Sequence, residues 1–362
     1  MTKKLWFQVG TAILFTLLII FMFMQVKSIF SPFLTIAQAI FMPLLLGGVL
    51  FYLSRPLQKW LESKKFPRWA SIISVFVVIG LLIWGFIALL SPVLTKQVNA
   101  LVDNTPEMVE EVEEFVNYSI SQRKKFGELP EAIQTTIDSA SGKIETIAVS
   151  AGGLIVKFVQ NVFQGVFLLV LVPFFLVYML KDHEKFVPFI TQFFKGEKRT
   201  FIRKTLSDID DTLRSYVQGQ LFVSFLVGVM LFIGYKIIGL EYSLLLALFG
   251  MIMNVIPFLG PYISLVPAVI IALIQDPKLA IYVAIVMLVA QQIESNFITP
   301  NVMGKSLDIH PLTVITIILA AGNIAGLMGI ILGVPTYAVI KAILKNIYAH
   351  REGIKDTATK SV

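Results

Sequence analysis

The chain of 362 residues contains no cysteine and only three histidines. Without thiols there is no disulfide, no thiolate metal site and no cysteine nucleophile. His183, His310 and His350 stand far apart and form no metal-ligand spacing. Charge is scarce as well. Asp, Glu, Lys and Arg make up 15% of the residues, against about a quarter in a soluble domain. The sequence carries no Gly-x-Ser-x-Gly elbow, no glycine-rich phosphate loop and no His-Glu-x-x-His pair. No enzymatic constellation and no cofactor motif is therefore expected. The missing phosphate loop argues against an ATP-driven pump on this chain.

What is present is apolar. Hydrophobic residues make up 56% of the chain, and the mean hydropathy is +0.81. They lie in long runs, which points to lipid rather than to one large core. The net charge of +7 reads as a cytoplasmic loop bias, not as nucleic-acid binding. Lys3 and Lys4 precede an apolar run from Leu5 to Val26. That run exceeds a secretory signal's apolar core and reads as a retained first span.

A helix needs about 20 apolar residues to cross the hydrocarbon. About eight segments approach that length: 5–27, 33–54, 69–91, 153–180, 217–238, 243–274, 278–298 and 309–345. The sequence predicts an all-α membrane protein, with spans one to three in 1–92 and spans four to eight in 151–362. Segments 243–274 and 309–345 are too long for simple helices. Pro257, Gly260, Pro261 and Pro267 interrupt the first; Gly322, Gly326, Gly329, Gly333 and Pro335 interrupt the second. Both read as broken helices or tight hairpins. Most Lys and Arg fall on the inner side if the N-terminus is cytoplasmic; Lys27, Lys236 and Lys305 remain in short outer loops, and Lys278 is counted inside. Both termini are then cytoplasmic.

Segment 93–150 is richer in acids than in bases. Val109, Val112, Val116 and Ile120 recur at helical spacing between glutamates. It reads as an extracytoplasmic amphipathic helical segment. A second amphipathic stretch, 196–216, reads as a cytoplasmic helix, either lying in the membrane interface or docked under the bundle.

Two stretches could carry transport chemistry. In Gln291–Asn301, the residues Gln291, Glu294 and Ser295 share one helical face, with Gln292, Asn296 and Thr299 beside it. A carboxylate at membrane depth costs roughly 2.5–3.5 kcal/mol on insertion scales, so it normally faces a polar interior. Glu294 is therefore the candidate substrate, cation or proton site. In Asn254–Tyr262, Pro257, Gly260 and Pro261 cannot continue an ordinary helix. Discontinuous helices near the midplane are where secondary transporters build binding sites. The candidate site residues are thus Glu294, Gln291, Gln292, Asn296, Asn301, Asn254, Pro257, Gly260 and Pro261. His310-Pro311 reads as a helix start, and Asn323 as an interhelical hydrogen bonder.

Five motifs carry a resemblance: PFFLVYMLKD at Pro173–Asp182, YVQGQ at Tyr216–Gln220, NVIPFLGPY at Asn254–Tyr262, QQIESNFITPNVMGKSLDIHP at Gln291–Pro311, and the Gly-rich segment ending at Gly333–Pro335. Together they resemble the autoinducer-2 exporter family of bacterial membrane proteins, over essentially the whole chain. The resemblance implies an eight-span inner-membrane transporter that assembles as a homo-oligomer. It implies export of the furanone autoinducer-2 in some members and sodium(lithium)/proton antiport in others. Three functions stay open. One is an exporter of a small polar solute, which suits amides that both donate and accept. The second is a cation/proton antiporter working through Glu294. The third is a non-transporting scaffold or regulator acting through 93–150.

Overall fold

The computed structural model describes residues 5–124, 166–303 and 309–360. Among these the chain is helical, with no strand. The helices are α1 (Leu5–Ser63), α2 (Arg68–Lys124), α3 (Val166–Thr191), α4 (Gly196–Ile237), α5 (Ser243–Met253), α6 (Leu259–Gln275), α7 (Pro277–Ile293), a π-helix (Glu294–Ile298), α8 (Thr299–Met303) and α9 (Pro311–Lys360). An all-α membrane protein is what the composition predicted. Five helical stretches are long and apolar enough to cross a membrane, and three shorter apolar helices accompany them. The part of the acidic segment beyond Lys124 lies outside the described residues; up to that point α2 runs on without a break.

The chain divides into two compact units. The first joins Met1–Phe51 to Val166–Lys181. Its helices meet at a glycine: a Cβ on Gly47 would lie 2.8 Å from the Phe175 Cβ and 3.6 Å from the Leu176 nitrogen. Small residues permit this backbone approach between apolar helices. Val172, Leu176 and Leu180 are buried, whereas Ile13, Leu17 and Phe21 stay exposed. Such an apolar exterior suits lipid. One expectation changes here. The two runs 5–27 and 33–54 are not separated by a turn; α1 continues through Pro32 as one helix of 59 residues. Pro32 is the one strong breaker between them, and a single proline kinks or is absorbed rather than reversing a chain.

The second unit joins Tyr52–Gly165 to Asp182–Val362. Its axis is α4, 42 residues or about 63 Å long. The amphipathic stretch 196–216 and the span 217–238 are one continuous helix, so 196–216 does not lie flat in the interface. Its polar residues are tied to neighbours instead. Asp210 accepts from Arg55 at 2.7 Å and from the Tyr52 hydroxyl at 3.0 Å. Asp208 accepts from Asn346 at 2.8 Å, and Phe201 stacks near His350 with ring centroids 4.7 Å apart. This is the docked alternative.

Segment 243–274 is a hairpin rather than a crossing. Helices α5 and α6, with 11 and 17 residues, are joined at Asn254–Phe258. Gln275, at the end of α6, donates to the Gly239 carbonyl at 2.9 Å and accepts from the Glu241 amide at 2.9 Å. Both ends of the hairpin therefore sit at the Ile237 end of α4. The count that placed Lys236 outside and Lys278 inside is corrected: the two lysines share a side.

The last helix is a second hairpin. Ala325 (φ −130°, ψ 17°) and Gly326 (φ 58°, ψ −138°) break it, and only glycine adopts the latter conformation freely. A Cβ on Gly322 would lie 3.0 Å from Ile330, and one on Gly333 would lie 3.1 Å from Ile317. These pairings fold 311–324 back on 327–360. His310 starts the helix as expected, its Nδ1 accepting from the Leu312 amide at 3.2 Å. Asn323 departs from expectation and donates within its own helix, to the Leu319 carbonyl at 3.1 Å. Val334 packs with Tyr216 while Asn346 reaches Asp208. The second hairpin thus enters from the opposite end of α4 to the first.

Candidate functional site

Helix α7 starts at the Gln275 end of the first hairpin. The Asp276 side chain accepts from the Lys278 amide at 2.9 Å, and Pro277 follows at the first helical position, a well-formed start. Seventeen residues later, about 25 Å along the axis, Glu294 arrives beside the hairpin's tip. Along α4, Gln220 is about the same distance from Ile237, and it too reaches the tip. The three chains converge because each descends a similar length from a common end.

At the tip, Gln291 Nε2 donates to Glu294 Oε2 at 2.9 Å. Asn254 Nδ2 approaches Glu294 Oε1 at 3.4 Å. Asn254 is 2% exposed, and its carbonyl accepts from Gln220 Nε2 at 2.7 Å. Both carboxylate oxygens are thus held by neutral amide donors. Among the described residues no cationic side chain forms an ion pair with Glu294. A carboxylate held this way is free to accept a proton, a cation or a hydroxyl-bearing solute without first breaking a salt bridge.

The predicted site divides. Gln291, Glu294 and Asn254 come together. Gln292, Asn296 and Asn301 do not: all three are exposed. Asn296 donates to Gln292 Oε1 at 2.9 Å, and Asn301 donates to the Phe297 carbonyl at 2.7 Å. Ser295 is also exposed and leaves the face assigned to it. Beyond Glu294 the chain is a π-helix, in which the Thr299 amide bonds the Glu294 carbonyl five residues back. One added residue per turn rotates the later side chains away from α-helical counting.

Pro257, Gly260 and Pro261 shape the tip rather than contact Glu294. The turn satisfies much of its own backbone: the Ile256 amide bonds the Met253 carbonyl at 2.9 Å, and Gly260 bonds Ile256 at 3.0 Å. Phe258 holds φ 63°, a strained value for a bulky side chain. Gly260 is required by close approach, since a Cβ there would overlap the Met253 carbonyl. Gln220 was missed as a site residue. The signal was an amide directly preceding the apolar run from Leu221.

Known proteins match this chain over most of its length. The family model for AI-2E family transporters matches residues 12–349. "Putative transport protein YueF" of Bacillus subtilis (strain 168) is 36% identical over 341 residues, covering 92% of this chain and 91% of that protein. "Putative transport protein YrrI" of the same organism is 31% identical over 336 residues, covering 91% and 93%. "Putative permease PerM" of Escherichia coli (strain K12) is 25% identical over 315 residues, covering 83% and 86%. With its family model matched over residues 12–349 and with long apolar helices, the chain belongs to the AI-2E family of membrane transporters.

Proposed function

We propose that this chain is a secondary transporter that exports a small polar solute of the autoinducer-2 kind through the site at the first hairpin's tip. The observation that carries the reading is the Glu294 carboxylate held between Asn254 and Gln291 beside the first hairpin's tip. Two hairpins entering from opposite ends support it, because each can open toward one side while the other stays closed. Amides that switch between donating and accepting suit a neutral, hydroxyl-rich ligand. The same carboxylate, which has no ion-pair partner among the described residues, favours a second reading, sodium(lithium)/proton antiport, with Glu294 exchanging a proton for a cation. The test is flux into liposomes holding the purified protein, with autoinducer-2 and with a sodium gradient read by a pH dye. Release of the furanone above protein-free liposomes supports export. Sodium-driven proton movement alone supports antiport, and neither flux overturns both.

The family resemblance adds assembly as a homo-oligomer in the bacterial inner membrane. For sidedness, the Lys/Arg bias supports a cytoplasmic C-terminal tail and an external 93–150 segment. Because the chain lacks cysteine, single cysteines report cleanly. We expect Ser119→Cys, Glu241→Cys and Lys278→Cys to react with an impermeant thiol reagent on intact cells, and Ser207→Cys not to react. Opposite behaviour of Glu241→Cys and Lys278→Cys would remove the first hairpin. The unbroken α1 bears on the N-terminus, and Gln8→Cys in the same scan assigns it to a side.

A further inference from the structure

The run Tyr216–Gln220 sits midway along α4, and its side chains reach different elements. Tyr216 packs with Ile256 of the first hairpin and with Val314, Ile318 and Val334 of the second. Gln218 Nε2 donates to the Tyr52 carbonyl of α1 at 2.6 Å. Gly219 faces α8, where a Cβ would lie 2.9 Å from Met303 Cγ. Gln220 Nε2 donates to the Asn254 carbonyl at 2.7 Å.

We propose that Gln220 is a positioning residue for Glu294, acting through Asn254. The proposal rests on the reading of Glu294 as the site's acid. Asn254 is the C-cap of α5, so its carbonyl has no partner within that helix. Gln220 supplies the partner from outside the hairpin. The same residue's side chain then spans to Glu294 at 3.4 Å, near the outer limit of a hydrogen bond. At that length a shift of a few tenths of an ångström makes or breaks the contact. The grip on the Asn254 main chain therefore decides whether its side chain reaches the carboxylate. The alternative role, simple packing, does not require an amide. A buried amide without a partner is costly among apolar side chains, and Gln220 is 6% exposed. Leucine or methionine would fill the same space without that cost.

Gln218 provides the comparison. It makes an interhelical bond of the same chemistry from the same stretch of helix, but to α1 rather than to the hairpin. The experiment uses the full chain in liposomes and dicyclohexylcarbodiimide, an apolar reagent for carboxyl groups, with modification of Glu294 followed by peptide mass spectrometry. Gln220→Met is close to isosteric, and Gln220→Ala is the second variant should the first fail to assemble. We expect Gln220→Met to raise the modification rate of Glu294 by roughly three- to tenfold, the range of one lost hydrogen bond. Gln218→Met leaves that rate at the wild-type value. A wild-type rate in Gln220→Met, or an equal rise in Gln218→Met, overturns the positioning role. No modification of Glu294 in the wild-type protein overturns instead the underlying reading of Glu294 as an accessible intramembrane acid.

Discussion

Gly260→Ala is expected to abolish transport, although it adds a single methyl group. A Cβ at Gly260 would overlap the Met253 carbonyl oxygen, and it would stand 2.5 Å from the Met253 carbonyl carbon and 2.9 Å from Asn254 Cα. These are main-chain atoms of the facing arm of the turn, so no side chain can rotate out of the way. The tip must open to admit the methyl, and Asn254 must move with it. Overpacking of this kind costs about 1–3 kcal/mol, which a membrane protein of this size can survive. Function is more sensitive. A misplacement of about 1 Å in a working site costs roughly 100-fold, and flux should fall by that order while the protein still inserts and assembles. Gly260→Leu should do the same with greater loss of thermal stability. Gly10→Ala is the matched control, because a Cβ there meets nothing within 4 Å. Wild-type flux in Gly260→Ala would mean that the tip is not part of the transport path.

The breaks in the two long apolar segments were legible because proline removes a backbone donor and glycine lifts the steric limit on φ. Their consequence was not. A kink that lets a helix continue and a turn that sends it back draw on the same residues. The choice is made by contacts far along the chain, Gln275 with Gly239 and Glu241 in the first hairpin and Gly333 with Ile317 in the second. The lysine count was misled at Lys278 for this reason alone. Helix α4 shows the converse. Its composition changes from charged to apolar near Tyr216, which reads as a boundary, yet nothing there breaks the 3.6-residue repeat.

The site was partly legible. Glu294 and Asn254 stand out as polar groups within apolar runs, and the cost of burying them points to partners. That they partner each other, across 40 positions, is a result of the equal descent of α7 and the hairpin and has no local signature. Counting i, i+3 and i+4 along Gln291–Asn301 assumes an α-helix throughout. The π-helix at Glu294–Ile298 breaks that assumption for the side chains that follow it.

Glu294→Gln separates the two transport readings, and Glu294→Ala tests the site itself. The carboxylate accepts from two amides, Asn254 Nδ2 and Gln291 Nε2. A glutamine side chain of the same shape offers one acceptor and one donor. It fits if one neighbouring amide turns over to present its oxygen, which exchanges donor for acceptor without moving a backbone atom. Geometry is then kept while the charge is removed. Sodium–proton exchange should be lost completely in Glu294→Gln, because no group remains to trade a proton for a cation. Export of a neutral furanone should persist at a measurable level, since the substituted amide still bonds hydroxyl and carbonyl groups. Glu294→Ala differs from both. It leaves the buried Asn254 donor unbonded, at about 1–3 kcal/mol, removes the Gln291 partner as well, and offers a solute nothing to bind. Either flux should then fall to the level of protein-free liposomes. If Glu294→Ala transports like the wild-type protein, the carboxylate is a structural group and the substrate passes elsewhere.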